Sequence, residues 1–569
     1  MLDPHPKAHP AAPTFVELFT PKLITVLREG YGWRDLRADA VAGLTVAVVA
    51  LPLSMAIAIA SGVSPERGLY TAIAGGLIIS LFGGSRFQIG GPAGAFIGLV
   101  ASIVERHGYD GLALATMVAG AILVVVALLR AGSYIKYIPY PVTVGFTAGI
   151  AVIIAASQIK DFLGLTIAHE PSALVPRLIA ITHALPTLHL PTAGVALVSL
   201  TVIVLVRRLR PTWPAFLIAI AVAAIASGVL HLDIDTVTSR FGAVPRSLPP
   251  PSLPPFSLAK LQAILPEAFT IALLGAIESL LSAVVADGMT GRRHRANGEL
   301  GAQGIGNIVA VIFGGICVTG TVARTATNVR SGARGPISGI FHCVYLVIFL
   351  AVAAPLVGYI PLAALAAVLM MVSWNMAEKA EFWSLLRNSR GDAAVLLATF
   401  GLTIFVDLMT GIAVGVVMGA LLFLHRMAEA VEVDGDGTSL DDKADSADPR
   451  EHYDADAATD RDVVVFRING AFFFGATARV LPVLDRIGAP PRVFILDFSD
   501  VPLIDTSAAH SLVGFVHKLK RSGTAVYFSA ARPSVRRMLN KAGLKPPVVA
   551  FAASAGDAKR ADHPAKKSS

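Results

Sequence analysis

Cysteine and charge are both scarce in this sequence. Cys317 and Cys343 are the only cysteines and both fall in apolar segments, so neither a disulfide framework nor a thiolate metal site is implied. Charged residues make up 15% of the 569 residues against 54% hydrophobic ones, which excludes an ordinary soluble protein and places the chain in a membrane. The net charge of +8 does not point to nucleic acid, because Lys and Arg sit in short clusters between apolar runs rather than along one face of a soluble domain. Residues 1–13 are rich in Pro and His, lack the apolar stretch of a secretory signal and read as disordered. No nucleophile–base pair, metal cluster or phosphate loop stands out, so neither an enzyme nor a cofactor is expected.

What is present is apolar and periodic. Between Phe15 and Leu36, large apolar residues interleave with Lys22, Arg28 and Arg34, which predicts a helix on the membrane surface within a cytoplasmic segment, 1–37. Fourteen apolar segments follow within a membrane part spanning 38–428, several too short to cross a bilayer alone, such as 92–104, 300–313 and 322–332. A stretch near 172–185 is too amphipathic to span and is expected at the interface. Basic residues concentrate in alternate connections: Arg207, Arg208 and Arg210, then Arg292, Arg293 and Arg295, then Lys379, Arg387 and Arg390. By the positive-inside rule this places both termini in the cytoplasm.

The chemistry concentrates in 269–339. Glu278 lies inside an apolar helix, where an ionised side chain costs about 2.5–3.5 kcal/mol on insertion scales. Downstream, Gly314-Gly315-Ile316-Cys317-Val318-Thr319-Gly320 is apolar yet poor in helix formers, which suits a short extended piece before Arg324. Backbone of that kind persists in a bilayer only inside protein or along a cavity. A matching break, Phe82-Gly83-Gly84 through Pro92, stands seven segments earlier, so the membrane part reads as two inverted halves of seven. Paired short, Gly-interrupted segments point to a transport site. Glu278 is read as serving a coupling cation or proton, or else as a static partner of Arg324 or an acceptor for backbone N–H groups of the broken segment. Arg324 either lines an anion path or braces its short helix, and Arg86 and Gln88 at the first break are read as structural. Ser282 lies one turn beyond Glu278 on the same face. Asp287 reads as an interface charge and His342 as a packing residue.

After Ala428 the composition changes. An acidic linker, 429–461, carries Asp434, Asp436, Asp441, Asp442, Asp445 and further acids. A small α/β domain follows over 462–554, with strands expected at 463–468, 492–498 and 525–528 and helices at 476–488, 506–521 and 533–542. Residues 555–569 read as a disordered polar tail. Asp505-Thr506-Ser507 opens a helix, where all three residue types suit an N-cap.

Several motifs together resemble a known family. The run from Leu51-Pro52-Leu53-Ser54 through Pro65-Glu66-Arg67-Gly68-Leu69-Tyr70 is similar to the signature of the SulP sulfate permeases, the solute carrier family 26 type. The Gly275-Ala276-Ile277-Glu278-Ser279 motif and the 289–307 and 322–334 runs resemble its bacterial branch, and the C-terminal domain looks like a STAS domain. The resemblance implies an α-helical polytopic membrane protein of 7+7 inverted repeats, with core and gate domains like those of uracil permeases, plus a cytoplasmic STAS domain. It implies an anion site at Leu53, Ile57, Ala93, Thr321, Val322, Ala323 and Arg324, and cation coupling, by H+ or Na+, at Glu278 and Ser282. A small anion is the implied substrate, sulfate first, with bicarbonate and C4-dicarboxylates as alternatives carried by relatives. A homodimer and a cytoplasmic protein partner of the STAS domain are implied as well. Similarity to anti-sigma factor antagonists makes Thr506 a candidate phosphorylation site. A membrane receptor that senses an anion and signals through the STAS domain is the alternative of another class.

Overall fold

The computed structural model describes residues 14–132, 138–167, 170–171, 173–211, 213–430, 432–435, 463–473, 476–477, 480 and 491–562. The chain forms two compact units, Met1–Val416 and Val417–Ser569.

The first unit opens with α1 (Phe15–Phe19) and α2 (Lys22–Arg28). A capping box starts α1: Thr14 Oγ1 accepts the Glu17 N–H, and the Glu17 carboxylate accepts the Thr14 N–H. α3 (Trp33–Ala60) is 28 residues long, about 42 Å at 1.5 Å per residue. The second segment is α4 (Pro65–Tyr70), a π-helical turn (Thr71–Gly75) and α5 (Gly76–Phe82). Strand β1 (Gly90–Gly91) and a 3-10 turn (Gly94–Phe96) lead into α6 (Ile97–Leu128), which Gly108, at φ 67°, divides into two membrane segments. α7 (Tyr140–Leu163) ends on Gly164 in the left-handed region, as helices commonly do. The amphipathic stretch forms α8 (Leu174–Ala184), followed by α9 (Leu190–Leu209), α10 (Ala215–Val229) and the short α11 (Val237–Phe241).

The second half repeats the plan. α12 (Leu258–Thr290) and α13 (Ala296–Ile312) precede β2 (Thr319–Gly320) and the short α14 (Val322–Arg330). Then come α15 (Ile337–Val357), α16 (Leu362–Met376), α17 (Lys379–Asn388), α18 (Arg390–Phe405) and α19 (Leu408–Glu429). All fourteen apolar segments expected from the sequence are helical, and eight helices among the described residues are long and apolar enough to cross a membrane. Packing divides the unit into two bundles: α3–α6 associate with α12–α15, and α7, α9 and α10 associate with α16 and α18. Large apolar residues such as Leu190, Val352 and Phe405 remain exposed on the long helices, the arrangement expected where lipid is the solvent.

The second unit holds a five-stranded sheet in sequential order: β3 (Glu432–Gly435) antiparallel to β4 (Val463–Asn469), then β5 (Val493–Asp497), β6 (Ala525–Ser529) and β7 (Ala550–Ala552) added in parallel. α20 (Thr506–Arg521), α21 (Pro533–Lys541) and α22 (Ala555–Asp562) accompany it. Phe466, Phe494, Phe498, Phe528 and Leu512 build its core. Two expectations are corrected here. The start of the acidic linker is an edge strand, β3, because Val433 extends the pairing of β4. The tail from 555 begins as α22, since Ala558 is fully buried in a cluster with Val493 and Ile495. The helix expected at 476–488 lies largely outside the described residues.

Candidate functional site at the paired helix breaks

The two Gly-rich breaks meet. β1 and β2 pair antiparallel, Gly90 opposite Gly320 and Gly91 opposite Thr319, and the Thr321 N–H donates to Ile89 O at 3.1 Å. A side chain at either of two glycines would displace a buried polar side chain. A Cβ at Gly91 would lie 2.1 Å from Arg324 Nη1, and one at Gly320 would lie 1.5 Å from Gln88 Nε2.

Side chains satisfy the remaining backbone of both breaks at every second residue. Along the second break, Ile316 N–H donates to Thr71 Oγ1 at 2.7 Å, Val318 N–H to Asn307 Oδ1 at 3.0 Å, and Gly320 N–H to Ser279 Oγ at 3.3 Å. Asn307 Nδ2 also donates to Val318 O at 2.8 Å. Along the first, Ser85 N–H donates to Glu299 at 2.9 Å, Asn328 Nδ2 to Phe87 O at 2.9 Å, and Ile89 N–H to Thr325 Oγ1 at 3.1 Å. The spacing of two is the strand period: one edge of each extended piece faces a row of polar side chains. Backbone that lipid cannot solvate is thereby paired within the protein.

What is left open is at the helix starts. α14 has Thr321 as N-cap and the 3-10 turn before α6 has Ala93, and neither end has a side-chain cap. The first amides of each, at Val322, Ala323, Gly94 and Ala95, have no acceptor within their own helix. They carry partial positive charge and follow closely on the paired strands β1 and β2, a ready arrangement for an anion.

The expected site residues distribute around this point. Leu53, Ile57 and Ala93 are buried in one apolar cluster. Thr321 is buried, Val322 half-buried and Ala323 exposed, so the first turn of α14 presents its apolar side to open space. Arg324 turns the other way: it is 1% exposed, and its Nη2 donates to Ser54 Oγ at 3.1 Å and to Pro92 O at 3.4 Å. It therefore ties α14 to α3 and to the first break while setting a positive charge behind both helix starts. Glu278, 7% exposed, has no hydrogen-bond or cationic partner among the described residues; the charge that bears on it is the like-signed Glu378. Static pairing of Glu278 with Arg324 is absent among those residues. Ser282 is fully buried and donates to Thr325 Oγ1 at 3.1 Å.

Other charged and polar residues settle into supporting contacts. Arg86 pairs with Glu29, and that hydrogen bond holds the Glu29 carboxyl below its usual range. Gln88 Nε2 donates to Ser279 O at 3.1 Å. Asp287 accepts from the His294 backbone and faces its ring at 2.7 Å. His342 is fully buried, with neither ring nitrogen partnered among the described residues.

Residues 36–399 match the sulfate permease family, and residues 454–558 match the STAS domain. The chain belongs to the sulfate permease family. It is 38% identical to a putative sulfate transporter, YvdB, of Bacillus subtilis over 91% of this chain and 95% of that one. It is 31% identical to the bicarbonate transporter BicA of Synechocystis over 90% of this chain and 91% of that one. Among solved structures, the murine solute carrier 26 family member A9 anion transporter in the inward-facing state superposes with a TM-score of 0.82 at 19% identity, covering 98% of this chain and 96% of that one. The fold is thus that of a solute carrier 26 transporter with a C-terminal STAS domain.

Within that family fold, the backbone clamps Thr71, Ser279, Glu299, Asn307, Thr325 and Asn328 were missed by sequence reasoning. Asn307 and Asn328 carried the available signal, as amide side chains in apolar or short helical segments. In the STAS domain, Asp505 caps α20 by accepting the Ala508 N–H at 2.7 Å, and Thr506 is exposed at the first helical position.

Proposed function

We propose that this anion transporter carries a small inorganic or carboxylate anion, sulfate first, across the inner membrane, coupled to a proton or sodium ion at Glu278. The observation that carries the reading is the buried Glu278 carboxyl, unpartnered among the described residues, one helical turn from the Ser282 that bonds Thr325 of α14. The anion sits against the amides after Ala93 and Thr321, bordered by Leu53, Ile57, Val322 and Ala323, with the Arg324 charge behind it. Apolar lining leaves the backbone to do most of the holding. The α3–α6/α12–α15 bundle, as core, moves against the other as gate in an elevator-like step. A cation on Glu278 removes a net charge from the moving core and so lowers the cost of crossing the bilayer. For sodium, the carboxylate supplies one oxygen; Ser282 is already engaged with Thr325 and reaches an ion only by giving up that bond.

In this reading both termini and the STAS domain are cytoplasmic, the protein is a homodimer, and the STAS domain offers Thr506 as a phosphorylation site and a surface for a protein partner. A second substrate, bicarbonate, is favoured by the 31% identity to BicA. Uptake by the purified protein in liposomes tests the proposal, with sulfate, bicarbonate and a C4-dicarboxylate each offered under imposed proton and sodium gradients. Accumulation of one anion driven by one gradient is expected. Accumulation indifferent to both gradients would remove the coupling assignment.

A further inference from the structure

One residue of α12 grips both breaks. Ser279, fully buried, places its Oγ 2.6 Å from Thr319 Oγ1 and accepts the Gly320 N–H at 3.3 Å, while its carbonyl accepts Gln88 Nε2 at 3.1 Å. Thr319 and Gly320 form β2 and run directly into Thr321, the N-cap of α14. Gln88 stands two residues before β1. A turn along the helix, Ser282 reaches Thr325, which in turn holds the Ile89 N–H. Two bonds from its side chain and one from its backbone carbonyl, to two chain segments more than 200 positions apart, make Ser279 a junction between the breaks.

Ser279 is also the covalent neighbour of Glu278. Among the other grips on the second break, the Gly275 carbonyl, also on α12, accepts from Thr319 Oγ1 at 3.3 Å, while Thr71 and Asn307 come from the π-helical turn and from α13, remote in sequence from the acid. Thr71 and Asn307 hold the strand whatever happens at Glu278. Any adjustment of the α12 backbone as Glu278 gains a proton or a sodium ion passes through Ser279 into β2 and, through Gln88, into the segment before β1. Packed and hydrogen-bonded elements of this kind can carry coupling between two sites, and the coupling free energy acts equally in both directions.

We propose that Ser279 is the positioning residue through which cation occupancy at Glu278 sets anion affinity at the paired helix starts. The proposal rests on the reading of Glu278 given above. The test measures the affinity of the full-length protein in liposomes for sulfate, or for bicarbonate if that is the anion taken up. Affinity is compared at acidic and alkaline pH and with and without sodium, for the wild type, Ser279→Ala, Thr319→Val and Thr71→Val. The wild-type affinity is expected to differ about tenfold between cation-rich and cation-poor conditions, within the range of coupled sites. Ser279→Ala and Thr319→Val should weaken binding and flatten that ratio to below about twofold. Thr71→Val, which loosens the same strand from another helix, should weaken binding but keep the ratio. A ratio preserved in both Ser279→Ala and Thr319→Val overturns the proposal alone, as does a ratio equally flattened by Thr71→Val. A wild type with no ratio at all overturns the assignment of Glu278, and the proposal with it.

Discussion

At the scale of single residues, two buried ionisable groups divide the labour. Glu278 has no partner among the described residues, so its substitution is expected to remove a function rather than a contact. Glu278→Gln, nearly isosteric, should abolish gradient-driven uptake while leaving anion binding partly intact; unchanged coupled uptake by this variant in liposomes contradicts the role given to the acid. Arg324 is braced on Ser54 and Pro92 and supplies its charge from behind the helix start. Arg324→Ala should weaken sulfate binding about tenfold, roughly 1.4 kcal/mol, measured by calorimetry, and equal affinity would separate Arg324 from the site. In the STAS domain, Asp505→Ala removes the α20 cap and should cost about 1 kcal/mol, read as faster hydrogen exchange of the first α20 amides.

At the scale of elements, the site is two extended pieces pinned by side chains from α12, α13, α14 and the π-helical turn, with Arg67 of α4 and Tyr109 of α6 reaching Gly314 O and Gly315 O of the second. Asn307 satisfies both backbone groups of Val318, so Asn307→Leu leaves a buried N–H and C=O without partners, at about 1–3 kcal/mol each. A clear drop in thermal stability with loss of anion binding is expected, and a variant as stable as wild type would show that the strand is held by other means. How much of this was legible in the sequence depends on the element. The helices were, because a run of apolar residues has one outcome in lipid. The breaks were, because Phe82-Gly83-Gly84 and Phe313-Gly314-Gly315 stand in corresponding places. The pins were not: Ser279, Thr71 and Thr325 look like the small hydroxyl residues of any packed membrane helix, and only folding brings them to the strands. The π-helical turn at Thr71–Gly75 left no sequence trace either, although it sets Thr71 against Ile316 and packs Gly75 closely against Val318. In the STAS domain, α22 was missed because its polar composition hides a single buried Ala558.

At the scale of the whole molecule, the side-chain pins on both breaks all come from one bundle, α3–α6 with α12–α15. The anion site is therefore expected to travel as a rigid body, with the other bundle acting as its track. Removing residues 432–569 should leave some anion flux, because the site and its supports lie upstream; complete loss of flux would favour the receptor reading, in which the STAS domain is the output. The claim on which the rest depends is the location of the anion, between two uncapped helix starts. Selenate, an anomalous scatterer and a sulfate mimic, tests it in a crystal of the full-length protein. The predicted result is one anomalous peak about 3 Å from the amides following Ala93 and Thr321, close to hydrogen-bond distance. A peak confined to any other place, with that point empty at saturating selenate, contradicts the account.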